Sequence, residues 1–338
     1  MQGTMLYGPR DVRFEERPDL TFIVPTDAII RISAARVCGP ALWPYRGIEP
    51  IDGPTPMGHE YVGIVEEVGS EVRLIEPGQF VVGSFFASDN TCEICRAGYH
   101  SSCILRQPGA PTGSQAQYAR IPLADGTLVA TPGMPPEDVI PGLLAASDVL
   151  GTGWFGAVAA EAGPGKTVAI VGDGAVGLLA VLAAKQLGAE LIIAMSRHEP
   201  RQRLALEFGA TEIVTERGEE GAQRIEELTG ELGAHSVVEA VGTQESMMRA
   251  IRATRPGGHV GFVGVFYGVE LPVEELFWAE VHLQAAPVRR FLPELIELIW
   301  NRKIEPGKVF DLTLPLEEVA EVYRAMDERR AIKRLLRP

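Results

Sequence analysis

The sequence predicts an α/β protein of two domains: a β-rich first part and, after it, a doubly wound parallel sheet. Three observations predict it. Up to about residue 145, short apolar runs are broken by Gly and Pro. From Lys166 onward, strand-like and helix-like segments alternate instead. The 338 residues are also enough for two cores of ordinary size.

In the first part the strand-like runs are 28–32, 61–68, 80–85 and 117–121. In the second part, strand 167–171 leads to helix 175–187, strand 191–195 to helix 201–208, and strand 212–214 to helix 219–229. Strand 236–240, helix 245–253 and strand 259–265 complete the alternation, and the last ~50 residues return to helices and one strand.

Composition narrows the partners. Hydrophobic residues make up 46% and charged residues 22%, the balance of a soluble globular protein. A net charge of −14 argues against nucleic acid or an anionic membrane as partner. No apolar run approaches the ~18 residues of a membrane span, and Met5 to Glu16 holds no signal-peptide core. Three of the four cysteines are clustered, which suits a reducing cytoplasm better than a disulfide framework. A cytoplasmic location is therefore expected.

The cluster itself carries chemistry. Asp89, Cys92 and Cys95 are spaced three apart, and Cys103 follows eight later, so one loop can close four donors around an ion. Three thiolates and a carboxylate suit tetrahedral zinc. Core filling or a disulfide is the competing reading, but the flanks Ser88, Asn90, Arg96, Gly98 and Ser101 are polar and loop-like.

Strand 167–171 runs into Gly172-Asp173-Gly174-Ala175-Val176-Gly177 and then a helix. A G-x-G-x-x-G in that context marks a dinucleotide site: a tight turn at Gly172, backbone approach to a pyrophosphate at Gly174, and close helix packing at Gly177. The helix start offers N–H groups to the phosphates. An NAD site wants a carboxylate at the end of the second strand. Here Ser196, Arg197 and Arg201 stand there instead, a hydroxyl and two guanidiniums suited to a 2′-phosphate. NADP(H) is expected over NAD(H), with Glu199 as the nearest acid that keeps NAD(H) open. Solvated helix-start charges are the alternative reading of the two arginines.

Cys38, His59 and Asp148 are unremarkable one by one. Together with the cysteine loop and the dinucleotide motif, their segments resemble the zinc-dependent alcohol dehydrogenases of the medium-chain dehydrogenase/reductase superfamily. The resemblance covers nearly the whole chain and includes Gly58-His59-Glu60, Glu76-Pro77-Gly78, Gly113-Ser114-Gln115-Ala116-Gln117-Tyr118 and Phe208-Gly209-Ala210. It implies a GroES-like β-rich catalytic domain made from both ends of the chain, 1–149 with 288–338, with a structural-zinc lobe at about 86–107, and a Rossmann coenzyme domain at 150–287 inserted between them. It further implies two zinc ions per chain. Cys38, His59 and Asp148 would ligate a catalytic zinc, with Glu60 beside it as an exchangeable ligand. Asp89, Cys92, Cys95 and Cys103 would hold a structural zinc, with Asp in the first of four positions that relatives fill with Cys. The implied reaction is hydride transfer between C4 of the nicotinamide and an alcohol, aldehyde or ketone.

Relatives continue Gly-Ser/Thr-Asp after the ligand cysteine; this chain reads Gly39-Pro40-Ala41. Pro40 has no hydroxyl to start a proton relay, and Ala41 cannot brace the ligand histidine. Three readings follow: an alcohol dehydrogenase relaying protons through water or Tyr45; a reductase of iminium or activated alkene substrates without catalytic zinc; or an impaired binding protein on this fold.

Trp43, Phe85, Phe86, Trp154, Phe266 and Tyr267 are candidates for an apolar pocket, with core packing as the alternative. Val241, Val263 and Val265 end strands where relatives back the nicotinamide, and Lys333 falls where relatives carry a basic residue near the pyrophosphate; core packing and a solvated lysine are the other readings. The stretch Pro256 to Tyr267 resembles the edge that joins coenzyme domains, so a homodimer or homotetramer is expected.

Overall fold

The computed structural model describes residues 1–106, 113–265, 268–285, 291–330 and 332–338. Phe266 and Tyr267 lie outside the described residues. The chain divides into two compact units, Met1–Asp148 with Val288–Pro338, and Val149–Pro287.

The first unit contains strands β1 (Gln2–Gly8), β2 (Asp11–Glu16), β3 (Ala28–Arg36), β4 (Thr55–Pro56), β5 (Tyr61–Val68), β6 (Phe80–Gly83), β7 (Tyr118–Ile121) and β8 (Leu128–Ala130). The second contains β9 (Thr167–Val171), β10 (Leu191–Met195), β11 (Glu212–Val214), β12 (Ala234–Glu239), β13 (Thr254–Phe262) and β14 (His282–Ala285). The chain then re-enters the first unit with β15 (Phe310–Pro315) and β16 (Lys333–Arg337), two strands where one is expected from the sequence.

In the first unit a seven-stranded sheet runs β15-β16-β3-β5-β6-β8, with β7 also paired to β3, and β2-β1-β4 forms a second, smaller sheet. Strand β3 continues four residues past the expected end at Ile32. Ser33, Ala34 and Ala35 are weak strand formers, but Ala35 is paired on both sides, to Tyr61 of β5 and Leu336 of β16. Tertiary pairing overrides local propensity there. The extension has a functional result: β3 ends at Arg36 and delivers Cys38 at its tip. Two register shifts between β3 and β5 bend the pair. Ile30, Ile32, Tyr61, Val65 and Ile121 fill one core of this unit; Leu6, Leu42, Tyr45, Val322 and Tyr323 fill another.

The second unit is a six-stranded sheet in the order β11-β10-β9-β12-β13-β14, parallel at every pairing. Strand order reverses between β9 and β12, the switch point at which such sheets bind nucleotides. The central strands β9 and β10 are near-continuous apolar runs because helices cover a parallel sheet, and Ala169, Val171, Ile193, Val237 and Val260 are buried in its core. One expectation is corrected. β13 is an interior strand, held between β12 and β14; β14 stands at the edge in place of the 256–267 stretch. The short, polar segment His282–Ala285 carried too little apolar pattern to be read as a strand. Among the described residues no single helix is long and apolar enough to cross a membrane.

Candidate active site

Cys38, His59, Glu60 and Asp148 meet within the first unit, each offering a ligand atom within 4.8 Å of the others. Cys38 lies just beyond β3. His59 and Glu60 precede β5, which pairs with β3, and Asp148 follows the buried helix Ile140–Ala146. The turn before His59 needs glycine. Gly58 has φ +102°, and a Cβ there would stand 2.5 Å from the backbone nitrogen of Gln115.

Asp148 Oδ2 is the centre of the group. It lies 3.5 Å from Cys38 Sγ, 3.7 Å from His59 Nε2 and 3.8 Å from a terminal nitrogen of Arg36. His59 Nε2 stands 3.9 Å from Glu60 Oε1. Behind these, Arg36 Nε approaches Glu60 Oε2 at 2.5 Å, an ion pair without a well-angled hydrogen bond, and Lys333 Nζ is 3.8 Å from the same oxygen. Arg36 and Glu60 are wholly buried, and Cys38, Asp148 and Lys333 are nearly so; His59 keeps 31% of its side chain exposed.

These surroundings set the charges. Burial pushes Glu60 up to about 7, against the pull of the Arg36 and Lys333 cations. Burial also works against the Asp148 carboxylate, yet hydrogen bonding with Glu60 and His59 and the Arg36 charge keep it well below the usual range. Burial, reinforced by Glu60, holds the Cys38 thiol well above its ordinary value. A thiol, an imidazole and a carboxylate converging in a buried spot suit a divalent zinc with an open position, because the cation supplies the charge the thiolate needs.

The second cluster is also assembled. Asp89 Oδ1 lies 3.1 Å from Cys103 Sγ and 3.3 Å from Cys95 Sγ, and the Cys92 and Cys103 sulfurs are 4.0 Å apart, so the cysteines are free. The short helix Glu93–Arg96 starts on Cys92, whose sulfur accepts from the Cys95 amide. Asp89 accepts from the Cys92 amide at 3.1 Å and from Thr91 Oγ1 at 2.5 Å. Burial opposes its charge, but these bonds and the Cys103 and Cys95 thiols hold Asp89 well below the carboxylate range. The donor set fits zinc.

In the second unit the glycine motif follows β9 and opens the helix Ala175–Gln186. A Cβ on Gly177 would fall 1.9 Å from the Gly172 carbonyl oxygen, so no larger residue fits there. Ser196, at the tip of β10, is buried, and Arg197 is exposed. Glu199 is not the nearest acid: it pairs with Arg203, whereas Asp173, from the glycine loop, accepts from Ser196 Oγ at 2.8 Å and pairs with Arg201 at 3.0 Å. Val241 and Val265 are half exposed at the carboxyl ends of β12 and β13, and Val263 is partly buried. Buried Glu239 anchors the turn after β12, accepting from the amides of Val241 and Gly242 at 2.9 and 2.8 Å.

Some expected roles lose their footing. Tyr45 is packed against Tyr323 in the second core of its unit, and its charged neighbours are Asp327, Arg10, Arg324 and Glu328 rather than the four donors. Tyr323 is the tyrosine that feels Cys38 and Glu60, and its hydroxyl donates to Gln115 Oε1 at 3.2 Å. Lys333 is buried, not a solvated lysine. The Phe85 ring packs at a tilt against Phe86 and lies 6.3 Å from the His59 ring, while Trp43 and Trp154 are partly buried. Arg36, Asp173, Glu239 and Tyr323 were not legible as site residues. Arg36, a charge in an apolar run two residues before a candidate ligand, was the one with a sequence cue.

Comparison with known proteins agrees with this geometry. Residues 24–133 match the alcohol dehydrogenase GroES-like domain, and residues 175–301 match the zinc-binding dehydrogenase domain. The chain is 34% identical over 332 residues to a probable zinc-binding alcohol dehydrogenase of Mycobacterium tuberculosis, covering 96% of this chain and 84% of that protein. It is 32% identical over 285 residues to the NADP-dependent isopropanol dehydrogenase of Thermoanaerobacter brockii, covering 80% and 77%. The solved zinc-dependent alcohol dehydrogenase 2 of Streptococcus pneumonia superposes with a TM-score of 0.91 at 30% identity, covering 100% of this chain and 98% of that one. The chain belongs to the zinc-binding alcohol dehydrogenase family of the medium-chain dehydrogenase/reductase superfamily, and so to the oxidoreductases acting on CH–OH groups.

Proposed function

We propose that this chain is an NADP(H)-linked alcohol dehydrogenase and carbonyl reductase carrying two zinc ions, one catalytic and one structural. The observation that carries the reading is the convergence of Cys38, His59 and Asp148, with Glu60 behind them, from three separate segments onto one buried point. In this reading the first unit is the catalytic domain and the second the coenzyme domain.

Cys38, His59 and Asp148 hold the catalytic ion, and Asp89, Cys92, Cys95 and Cys103 hold the other. Zinc supplies a Lewis acid for the alcohol or carbonyl oxygen, and the nicotinamide supplies or accepts the hydride. His59 is the exposed donor, so substrate and protons approach from its side, where Phe85 and Phe86 give an apolar wall. Pro40 offers no hydroxyl and Tyr45 is enclosed in the core, which leaves water to carry the proton. Arg36 and Lys333 balance Glu60, so the carboxylates do not accumulate unpaired charge.

Support for NADP(H) comes from Ser196, Arg197 and Arg201 at the β10 tip and from the isopropanol dehydrogenase relative, whose name states NADP dependence. Val241, Val263 and Val265, just past the carboxyl ends of β12 and β13, would back the nicotinamide. A homo-oligomer formed through the second unit is supported by β14, which is the edge strand among the described residues, and by Val273, Phe277 and Trp278, which are each more than 70% exposed on the helix Val273–Ala279.

Metal analysis of purified protein and two variants tests the core of the proposal. The parent holds about two zinc ions; Cys38→Ser and Cys103→Ser each hold about one, and only Cys38→Ser loses alcohol turnover outright. Parent protein with one zinc, unaffected by Cys38→Ser, overturns the catalytic site. For the coenzyme, Arg197→Ala weakens NADPH far more than NADH; equal effects overturn the NADP(H) preference.

A further inference from the structure

Asp173 sits between the first two glycines of the motif and reaches across to the end of the neighbouring strand. Its Oδ2 accepts from Ser196 Oγ at 2.8 Å, and its Oδ1 lies 3.0 Å from Arg201, whose guanidinium also donates to the Asp173 carbonyl at 3.3 Å. Both charged side chains are four-fifths buried, at 16% and 19% exposure. In a sheet of this strand order, the adenosine ribose of a dinucleotide lies over the loop after the first strand and the tip of the second. Two of the groups assigned above to a 2′-phosphate are thus already engaged by one carboxylate, supplied from the loop and not from the strand tip.

A carboxylate and a 2′-phosphate have opposite consequences at this position. A ribose with a free 2′-hydroxyl donates to Asp173 and leaves the Asp173–Arg201 pair intact. A 2′-phosphate must take Ser196 and Arg201 away from Asp173 while its own negative charges stand close to that carboxylate, in a partly buried place where screening is weak. Arg197, exposed beside the site, adds a cation on the solvent side. We infer that Asp173 is the residue that sets coenzyme discrimination in this chain, competing with the 2′-phosphate of NADP(H) for Ser196 and Arg201 and offering an acceptor to the ribose of NAD(H). The inference rests on the placement of the coenzyme proposed above. Its consequence is a site that admits both coenzymes, with the advantage of NADP(H) held down by its own loop.

Equilibrium titration of the zinc-loaded full chain tests it, using NADPH and NADH fluorescence and the fragments 2′,5′-ADP and 5′-AMP. Asp173→Asn tightens NADPH and 2′,5′-ADP by ~10-fold or more and moves NADH and 5′-AMP by less than ~3-fold. Equal shifts for both coenzymes, or weaker NADPH binding, overturn the inference. Loss of all coenzyme binding in both Asp173→Asn and Asp173→Ser also overturns it, because the carboxylate then serves only to fold the loop. Arg201→Ala separates the two readings. If it weakens NADPH and NADH alike, the 2′-phosphate site itself is misplaced; if it weakens NADPH selectively while Asp173→Asn does not discriminate, only the role of Asp173 fails.

Discussion

Arg36 Nε lies 2.5 Å from Glu60 Oε2, and neither side chain has any exposed surface. The pair joins the last residue of β3 to the residue before β5, directly behind the donors Cys38, His59 and Asp148. A buried ion pair contributes little net stability against two well-packed neutral residues, but losing one partner strands the other charge. Well above pH 7, where Glu60 is ionised, Arg36→Met is therefore expected to lower stability by about 3–5 kcal/mol. Adding Glu60→Gln to it should recover most of the loss. Urea unfolding of the two variants checks this, and an Arg36→Met protein as stable as its parent would show that the pair does not form.

Glu60 also gives a pH dependence with a definite sign. Its folded value of about 7 stands above the unfolded value near 4.5, so the folded state holds its proton longer. Metal-free protein is relieved of this cost below about pH 4.5, loses stability as pH rises through the interval, and bears the full cost above about 7, roughly 3 kcal/mol. Compared with Glu60→Gln under the same conditions, the metal-free parent should fall behind over that window. A parallel pair of stability curves would contradict it.

Pro40 and Ala41 define a repair experiment. A carboxylate that braces a ligand histidine is worth ~10 to 100-fold in metal affinity or activity. Pro40→Ser with Ala41→Asp should raise zinc affinity at the Cys38 site by that order and increase alcohol oxidation. Competition with a chromophoric chelator measures the first, and an unchanged affinity would mean that the second position no longer faces His59.

Gly177→Ala tests the coenzyme loop without touching charge. The added methyl meets the Gly172 carbonyl at 1.9 Å, so the helix Ala175–Gln186 must move away from the turn that starts it. A loss of about 1–3 kcal/mol and a larger fractional loss of coenzyme affinity are expected. Thermal unfolding and fluorescence titration read the two effects.

Local pattern explains which parts were legible in advance. The alternation of 167–171, 175–187 and 191–195 predicted β9, its helix and β10 because each element carries its own period and its own turn residues. The Asp89 loop was legible because all four donors lie within fifteen residues. The edge strand β14 was not, since four residues of mixed polarity have no period to detect, and the 256–267 stretch was mistaken for the margin. Tyr45 lies five residues from Pro40 in the sequence, but the helix Leu42–Arg46 turns its ring into the core.

The sequence by itself determined the donor types, the glycine loop and the alternation of strand and helix from β9 to β10, because these depend on residue identity and short spacing. Only the tertiary structure decided which charges face one another. Arg36, Glu60 and Lys333 stand close because β16, β3 and β5 are neighbours in one sheet, and Asp173 occupies the Ser196 site because β9 and β10 are adjacent. Pairing across strands is a long-range property of the folded chain, and no local pattern encodes which buried cation a given carboxylate will meet.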